Sequence, residues 1–290
     1  SSSWPNNGVR VGTNGQTNSN GSNYLVWAWK AGGNKNTYNI DDVGYATASA
    51  AGLDAGNIAL DGASVGTKQG FSIIKYTGNT TGGATVSHGL SQDPKFIMIK
   101  NLDQNSTNWL ILHTGIGPNG ETSFGNAEYN MFRFDSAGAA NYSSDLIFPG
   151  SNGAFALGEG GSTWANGAYN YIAYCWHDVP GLQKFGSYES NSGGVFVELG
   201  FKPAILVIKN ADATLTNSQW NVVDTKRDTY NEMFNNLAWD RNNSEPAVSA
   251  TTYGIDIHSN GFHIPDGNTG EAINNTQSGA VHTYIYCAWA

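Results

Sequence analysis

The sequence is poor in charged residues and contains only two cysteines. Charged residues make up 13% of its 290 residues, about half of the ~25% that is usual in soluble domains. Fourteen of them are basic and 23 are acidic, and Lys and Arg form no cluster. This balance argues against a nucleic acid or an anionic membrane surface as the partner.

Long apolar runs and targeting signals are also missing. No apolar run approaches the ~20 residues of a membrane-spanning helix, so membrane insertion is not expected. The sequence begins without Met and without a signal-peptide pattern. We therefore expect the natural start to lie upstream or to have been removed.

Patterns typical of enzymes are absent from the sequence. It contains no nucleophile elbow, no phosphate-binding loop and no helical pair of zinc-binding histidines. Carboxylates that could pair as acid and base, such as Glu159, Glu189, Glu198 and Asp224, are scattered among glycine-rich turns. We predict that the protein is not an enzyme and that it has no catalytic residues, no cofactor and no metal site.

The two cysteines, Cys175 and Cys287, occur in equivalent segments of a repeated sequence, but one position apart. Residues one position apart on a strand face opposite sides of its sheet. We therefore expect buried free thiols rather than a disulfide. Such thiols favour assembly in a reducing cytosol.

One short aromatic stretch is present three times. It reads YLVWAW at 24–29, YIAYCW at 171–176 and YIYCAW at 284–289. Six apolar or aromatic residues bounded by Gly, Asn and Asp are typical of a strand buried on both faces. Each copy is predicted to be the central strand that closes a β module.

Further segments repeat with the aromatic strand. Asn-Gly, the preferred pair for a two-residue hairpin turn, occurs at 7–8, 152–153 and 260–261. Lys209 follows Lys100 by 109 positions, and Tyr284 follows Tyr171 by 113. A period of this length is that of a domain and well beyond that of a solenoid repeat.

The predicted fold is all-β, with tandem antiparallel β-sandwich modules that are jelly-roll-like and have about eight strands each. Residues 1–33 are interpreted as the C-terminal part of an incomplete β module, and 34–67 as a linker. The first full module is predicted to span 68–183 and the second 184–290. In the linker, Asp41 and Asp42 are expected to have turn and cap roles rather than to bind calcium.

The incomplete module at 1–33 is predicted to need a partner, because two strands alone cannot bury Trp27 and Trp29. The partner sheet could come from upstream residues, from the other modules of this chain or from a neighbouring subunit. We predict an assembly role for Trp4, Tyr24, Trp27 and Trp29.

With these segments placed, the sequence resembles a repeated β domain of marine phage virion structural and tail-fibre proteins, those of cyanophages included. The resemblance rests on residues 171–181 (YIAYCWHDVPG), 184–188, 200–203, 208–210 and 224–228, together with 29–35 and 41–45. It implies a part of the virion exterior that is assembled in the host cytoplasm. The implied partners are copies of the chain itself and other virion proteins, and the family brings no catalytic residues.

The first module departs from this pattern at one position. Where the second module has residues 224–228 (DTKRD), the first has His113 followed by Thr-Gly-Ile-Gly-Pro. Because one copy lacks it, we interpret the acidic and basic segment as a turn with a local ion pair rather than as a site.

Two loops could bind a glycan, which requires an exposed aromatic ring beside Asn or Asp side chains. The candidate residues are Trp164 and Asn166 in one loop, and Trp239, Asp240, Arg241 and Asn243 in the other. The alternative is that both tryptophans pack beneath their loops.

Histidines flank the last Asn-Gly pair. His258 and His263 could converge across a hairpin, with His282 nearby in sequence, but the first module has no histidine at the equivalent positions. We favour hydrogen-bonded or solvated side chains over metal ligation.

The sequence therefore predicts a non-enzymatic phage structural protein, part of a tail fibre or surface appendage. One alternative is a lectin-like module that binds a receptor or surface polysaccharide. Another is an extracellular filament subunit in which the first 33 residues complete the sandwich of a neighbour.

Overall fold

A computed structural model describes residues 8–33, 35–116, 130–134, 141–142, 147–158, 160–211, 218–241, 254–265, 273–274 and 280–290. The chain forms two compact units, Ser1–Lys30 and Ala31–Ala290. Among the described helices, none combines the length and apolar content required to cross a membrane.

The first unit contains one short helix, α1 (Gly15–Asn18), which is capped by the side chain of Asn14. The hydroxyl group of Tyr24 donates a hydrogen bond to the carbonyl oxygen of Gly15 (2.9 Å) and accepts one from the N–H of Ser19 (2.8 Å). No strand occurs among residues 8–30. The predicted strand at 24–29 and the strand after Gly8 are therefore wrong, because a strand needs a ladder partner and residues 8–30 provide none.

The regular secondary structure of the second unit is almost entirely β-strand. In chain order they are β1 (Tyr38–Ile40), β2 (Val43–Tyr45), β3 (Leu60–Gly66), β4 (Phe71–Thr77), β5 (Thr85–Ser87), β6 (Phe96–Asn101), β7 (Leu110–His113), β8 (Asn130–Arg133), β9 (Asn141–Tyr142), β10 (Ile147–Ser151), β11 (Ala154–Leu157), β12 (Asn170–Trp176), β13 (Gln183–Glu189), β14 (Val195–Glu198), β15 (Ile205–Asn210), β16 (Asn221–Asp224), β17 (Leu237–Ala238), β18 (Asp256–His258), β19 (Gly261–Ile264) and β20 (Thr283–Trp289). A 3-10 turn, η1 (Ser49–Ala51), lies between β2 and β3.

Within the described residues these strands form four sheets. The first large sheet has the order β2-β1-β3-β4-β12-β6-β7-β8-β9, and the first small sheet has the order β10-β11-β5. The second large sheet has the order β13-β20-β15-β16-β17, and the second small sheet has the order β14-β19-β18. All neighbours are antiparallel except β1 and β3. The prediction of an all-β, sandwich-like fold is confirmed.

Each large sheet packs on the small sheet of the same number. The first core contains Ile97, Phe155 and Tyr171, and the second contains Leu206, Phe262 and Tyr284. Core residues recur at alternate positions of a strand, such as Ile97 and Ile99 on β6 and Leu206 and Ile208 on β15, as a face buried between two sheets requires.

The other faces of the two large sheets pack on each other through aromatic rings. The ring centroids of Phe96 and Phe185 are 5.8 Å apart, and those of Trp176 and Trp289 are 6.4 Å apart. The second unit is therefore a stack of four layers, ordered small, large, large, small. In these middle layers β7 and β16 are buried at every position.

The aromatic repeats at 171–176 and 284–289 are central strands, as predicted. β12 pairs with β4 and β6, and β20 pairs with β13 and β15. Cys175 belongs to the first core, whereas Cys287 shares the strand face of Trp289, which points toward the other large sheet. Both cysteines are buried and free, as predicted.

The segment 34–67 is predicted to be a linker, but in the structure it contains strands of the first large sheet. Three strands, β1 to β3, extend the first large sheet beyond β4, and Leu53, Ile58 and Leu60 enter the first core. The Gly- and Ala-rich composition concealed these strands. Asp41 and Asp42 form the turn between β1 and β2 with positive φ, and the Asp41 carboxylate accepts a hydrogen bond from the N–H of Thr67 (2.9 Å).

The predicted Asn-Gly turn is present in one copy and shifted in the other. Asn152 and Gly153, with φ of 56° and 84°, connect β10 to β11. In the second copy Ser259 and Asn260 connect β18 to β19, and Gly261 is already the first residue of β19. Asn7 lies outside the described residues.

Candidate functional site

The first predicted glycan loop is closely packed. Asn166 is fully buried, its side chain donates to the carbonyl oxygen of Thr81 (2.7 Å), and it accepts from the N–H of Asn79 (3.0 Å). Trp164 packs against the first core, and the guanidinium carbon of Arg133 lies 4.5 Å from the centroid of its ring. Asn166 therefore holds two loops together, and one face of the Trp164 ring is covered.

The second predicted glycan loop is tied to the packing of the large sheets. The half-buried ring of Trp239 lies 5.4 Å from Phe134 and 6.5 Å from Trp289 between centroids. The Asp240 carboxylate accepts from the N–H of Trp220 (3.1 Å), and burial raises the pKa of this carboxyl group. Arg241 is exposed, and Asn243 lies outside the described residues.

The predicted assembly residues lie in the first unit. Tyr24 is exposed, Trp27 and Trp29 are half-buried, and Trp4 lies outside the described residues.

The segment after β16 is a turn with an ion pair, as predicted. The Asp224 carboxylate accepts from the Arg227 Nε (2.6 Å) and from the backbone N–H groups of Lys226 (3.1 Å) and Arg227 (3.0 Å). Asp224 is 3% exposed. The Asp224 carboxylate therefore stabilises the four-residue turn 224–227.

Two buried residues with basic side chains, His113 and Lys209, lie where the large sheets meet. His113 stands at the position of Asp224 in the first module, since each is the last residue of its strand. Burial lowers the pKa of His113 to about 4. Lys209 donates from Nζ to the carbonyl oxygen of Asn210 (2.9 Å), and burial lowers its pKa to about 8 although Asp240 opposes this shift.

A second buried histidine supports the first core. His88 accepts at Nδ1 from the N–H of Leu90 (3.1 Å). Burial, and to a smaller extent the neighbouring His177, lowers its pKa to about 4. Both His88 and His113 are therefore neutral packing residues at pH 7.

One group of potential ligands lies on the outer face of the second small sheet. Asp256 and His258 are two residues apart on β18, and His263 is paired with Asp256 on β19. One ligand atom from each side chain lies within 4.8 Å of the others. Ile257 and Phe262, which alternate with them, point into the second core, so the three ligands share the opposite face.

The sequence singled out His258 and His263 but not Asp256. The i, i+2 spacing of Asp256 and His258 places both side chains on one face of a strand, and this could have been recognised from the sequence. The hairpin register that brings His263 beside them could not. A turn at 260–261 instead of 259–260 would pair His263 with His258, whereas the observed register pairs it with Asp256. His282 lies elsewhere, and its backbone pairs with Ser190.

The sheets define an all-β protein of paired, sandwich-like layers. The chain belongs to the family described as a domain of unknown function (DUF7483), whose model matches residues 2–290. No curated protein and no solved structure matches the chain.

Proposed function

We propose that the protein is a non-enzymatic structural component of a phage particle, part of a tail fibre or another surface appendage, which assembles through its β modules. The resemblance of residues 171–181 and 184–188 to virion proteins supports the location on the virion exterior. Support for a non-enzymatic role comes from His88, His113 and Asp224, which are engaged in packing and turns.

The observation that carries the assembly proposal is the exposure of apolar side chains in the first unit. Val9, Val11, Tyr24 and Val26 are 54%, 50%, 47% and 60% exposed. We infer that these side chains contribute to an association surface, which exposed apolar patches commonly mark.

The sequence of this exposed segment suggests its occupant. Residues 24–29 carry the same pattern as β12 and β20, and each of those strands lies between two antiparallel neighbours. A second copy of the chain offers sheet edges of the kind that accept such a strand, so we take a second copy as the partner.

Sedimentation velocity over a range of concentrations tests this assembly. The wild-type chain is expected to form oligomers, and Tyr24→Asp/Val26→Asp is expected to shift it toward the monomer. Tyr230 and Val281 are exposed residues of the same types in the second unit, so Tyr230→Asp/Val281→Asp is the matched control and should assemble like the wild type. A wild-type chain that stays monomeric throughout would refute the self-association.

The virion location has its own test. Peptides of this chain are expected in mass spectra of purified phage particles from its source, and their absence from intact particles would contradict it. The lectin-like alternative has weaker support, because Asn166 is committed to two loops and Trp239 to a ring cluster.

A further inference from the structure

Three side chains of two strands converge on the exposed face of the second small sheet. The Asp256 Oδ2 and the His263 Nδ1 are 3.9 Å apart, and the ring centroids of His258 and His263 are 6.2 Å apart. The antiparallel register of β18 and β19 fixes the backbone beneath all three. The ligands are therefore arranged by the sheet rather than by a flexible loop.

The spacing of these atoms suits a small metal ion. With bonds of about 2.0–2.2 Å to nitrogen or oxygen, two ligand atoms of a tetrahedral ion are separated by roughly 3.3–3.6 Å. The three ligand atoms lie within 4.8 Å of one another. Rotation of the side chains is sufficient to bring them to the separation that a bound ion requires. His258 is exposed, and Asp256 and His263 are half-buried, so such rotation displaces no core residue.

A neighbouring ring limits the freedom of one ligand. Phe196, on β14, packs edge-on against His258 with centroids 5.6 Å apart, although Phe196 itself is 50% exposed. This contact reduces the conformations open to His258 and holds its ring beside the other two ligands. Restricting a ligand before binding lowers the entropy cost of binding.

The donor set selects the class of ion. Imidazole nitrogen suits zinc, copper and nickel, whereas calcium and magnesium prefer oxygen ligands alone. Two histidines and one carboxylate form a three-ligand set that leaves at least one coordination position open to solvent. We propose that Asp256, His258 and His263 bind one divalent transition-metal ion of the zinc class.

The site is specific to the second module. His263 is the third residue of β19, and the third residue of β11 is Ala156, which pairs with Phe148. The first hairpin thus offers no equivalent ligands, and one ion per chain is expected. The proposal does not depend on the role in a virion.

Calorimetric titration of the tag-free, chelator-treated chain with zinc chloride tests the site. We expect saturable binding of one ion per chain, and no saturable binding of calcium. His258→Ala, His263→Ala and Asp256→Asn are each expected to weaken zinc binding at least ~10-fold, since even outer-shell changes cost this much. Saturating zinc should also raise the melting temperature by about 2 °C or more, because it binds only the folded hairpin.

His282→Gln is the control, because it removes a histidine outside the group and should leave the isotherm unchanged. Circular dichroism establishes that each variant is folded before its isotherm is compared. Absence of saturable zinc binding, or equal binding by wild type and a folded His258→Ala/His263→Ala variant, would overturn the proposal. If the double variant does not fold, the same comparison is made with each single variant.

Discussion

The imidazole of His113 joins the two large sheets by donating from Nε2 to the backbone carbonyl oxygen of Tyr286, over 3.0 Å. Its Nδ1 accepts a hydrogen bond from the N–H of Gly115, also over 3.0 Å. One ring nitrogen must donate and the other must accept, so this arrangement requires the neutral form. Protonation of Nδ1 would place two N–H groups against each other in a buried setting.

Stability is therefore expected to fall in mildly acidic solution. Burial lowers the pKa of both His113 and His88 from 6.5 to about 4 in the folded state. Between these values the unfolded chain binds protons that the folded chain rejects, so the stabilisation is complete above pH 6.5 and is lost as the pH falls toward 4. The loss is about 3 kcal/mol for each histidine.

Urea denaturation at several pH values between 7.5 and 4.5 measures this effect. The slope of the unfolding free energy against pH should become smaller in His113→Gln, because its unfolded chain can no longer take up a proton at this position. His282→Gln serves as the control and should keep the wild-type slope. A free energy of unfolding that stays flat over this range would contradict the prediction.

The buried carboxylate of Asp224 is expected to be strongly coupled to Arg227. Asp224→Ala removes the partner of the Arg227 guanidinium and of two backbone N–H groups, and should destabilise the protein by about 2–4 kcal/mol. A double-mutant cycle with Arg227→Ala should give a coupling energy of about 1–3 kcal/mol.

The side chain of Lys226 in the same turn is exposed. Lys226→Ala is therefore expected to change stability by less than about 0.5 kcal/mol. A coupling energy near zero between Asp224 and Arg227 would mean that the ion pair is not formed in solution.

The central strands could be predicted from the sequence because their composition indicates burial on both faces. Residues 171–176 and 284–289 are apolar at every position, and only a strand covered on both faces accommodates this. The same pattern at 24–29 misled the prediction. Hydrophobicity specifies what a segment would bury, but a strand also requires neighbours that supply its hydrogen bonds.

The contacts that depend on long-range packing could not be predicted. His113 links the two large sheets through a hydrogen bond to Tyr286, which is 173 positions away in the sequence. The metal-ligand group likewise depends on the hairpin register, because a turn one position later would pair His263 with His258 instead of Asp256. Short-range patterns contain neither kind of information.

The thiols of Cys175 and Cys287 are expected to be unreactive in the folded protein. Both are fully enclosed, and burial raises the pKa of each well above that of a free thiol. The thiolate, which is the reactive form, is thus scarce and inaccessible. Ellman's reagent should modify neither thiol in native buffer and both in denaturant, whereas rapid modification of the native protein would show that a large-sheet face opens.

The glycine at the start of β19 is expected to be indispensable to the second small sheet. A Cβ atom at Gly261 would lie 2.1 Å from the backbone oxygen of Val197 on β14. A backbone atom cannot move aside as a flexible side chain can, so Gly261→Ala should separate β19 from β14 and destabilise the protein by about 2–4 kcal/mol. At Gly193, in the loop before β14, the nearest atom is 3.4 Å away, so Gly193→Ala should fall within about 0.5 kcal/mol of the wild type. Urea denaturation compares the two variants, and equal stabilities would show that β19 and β14 are not in close contact.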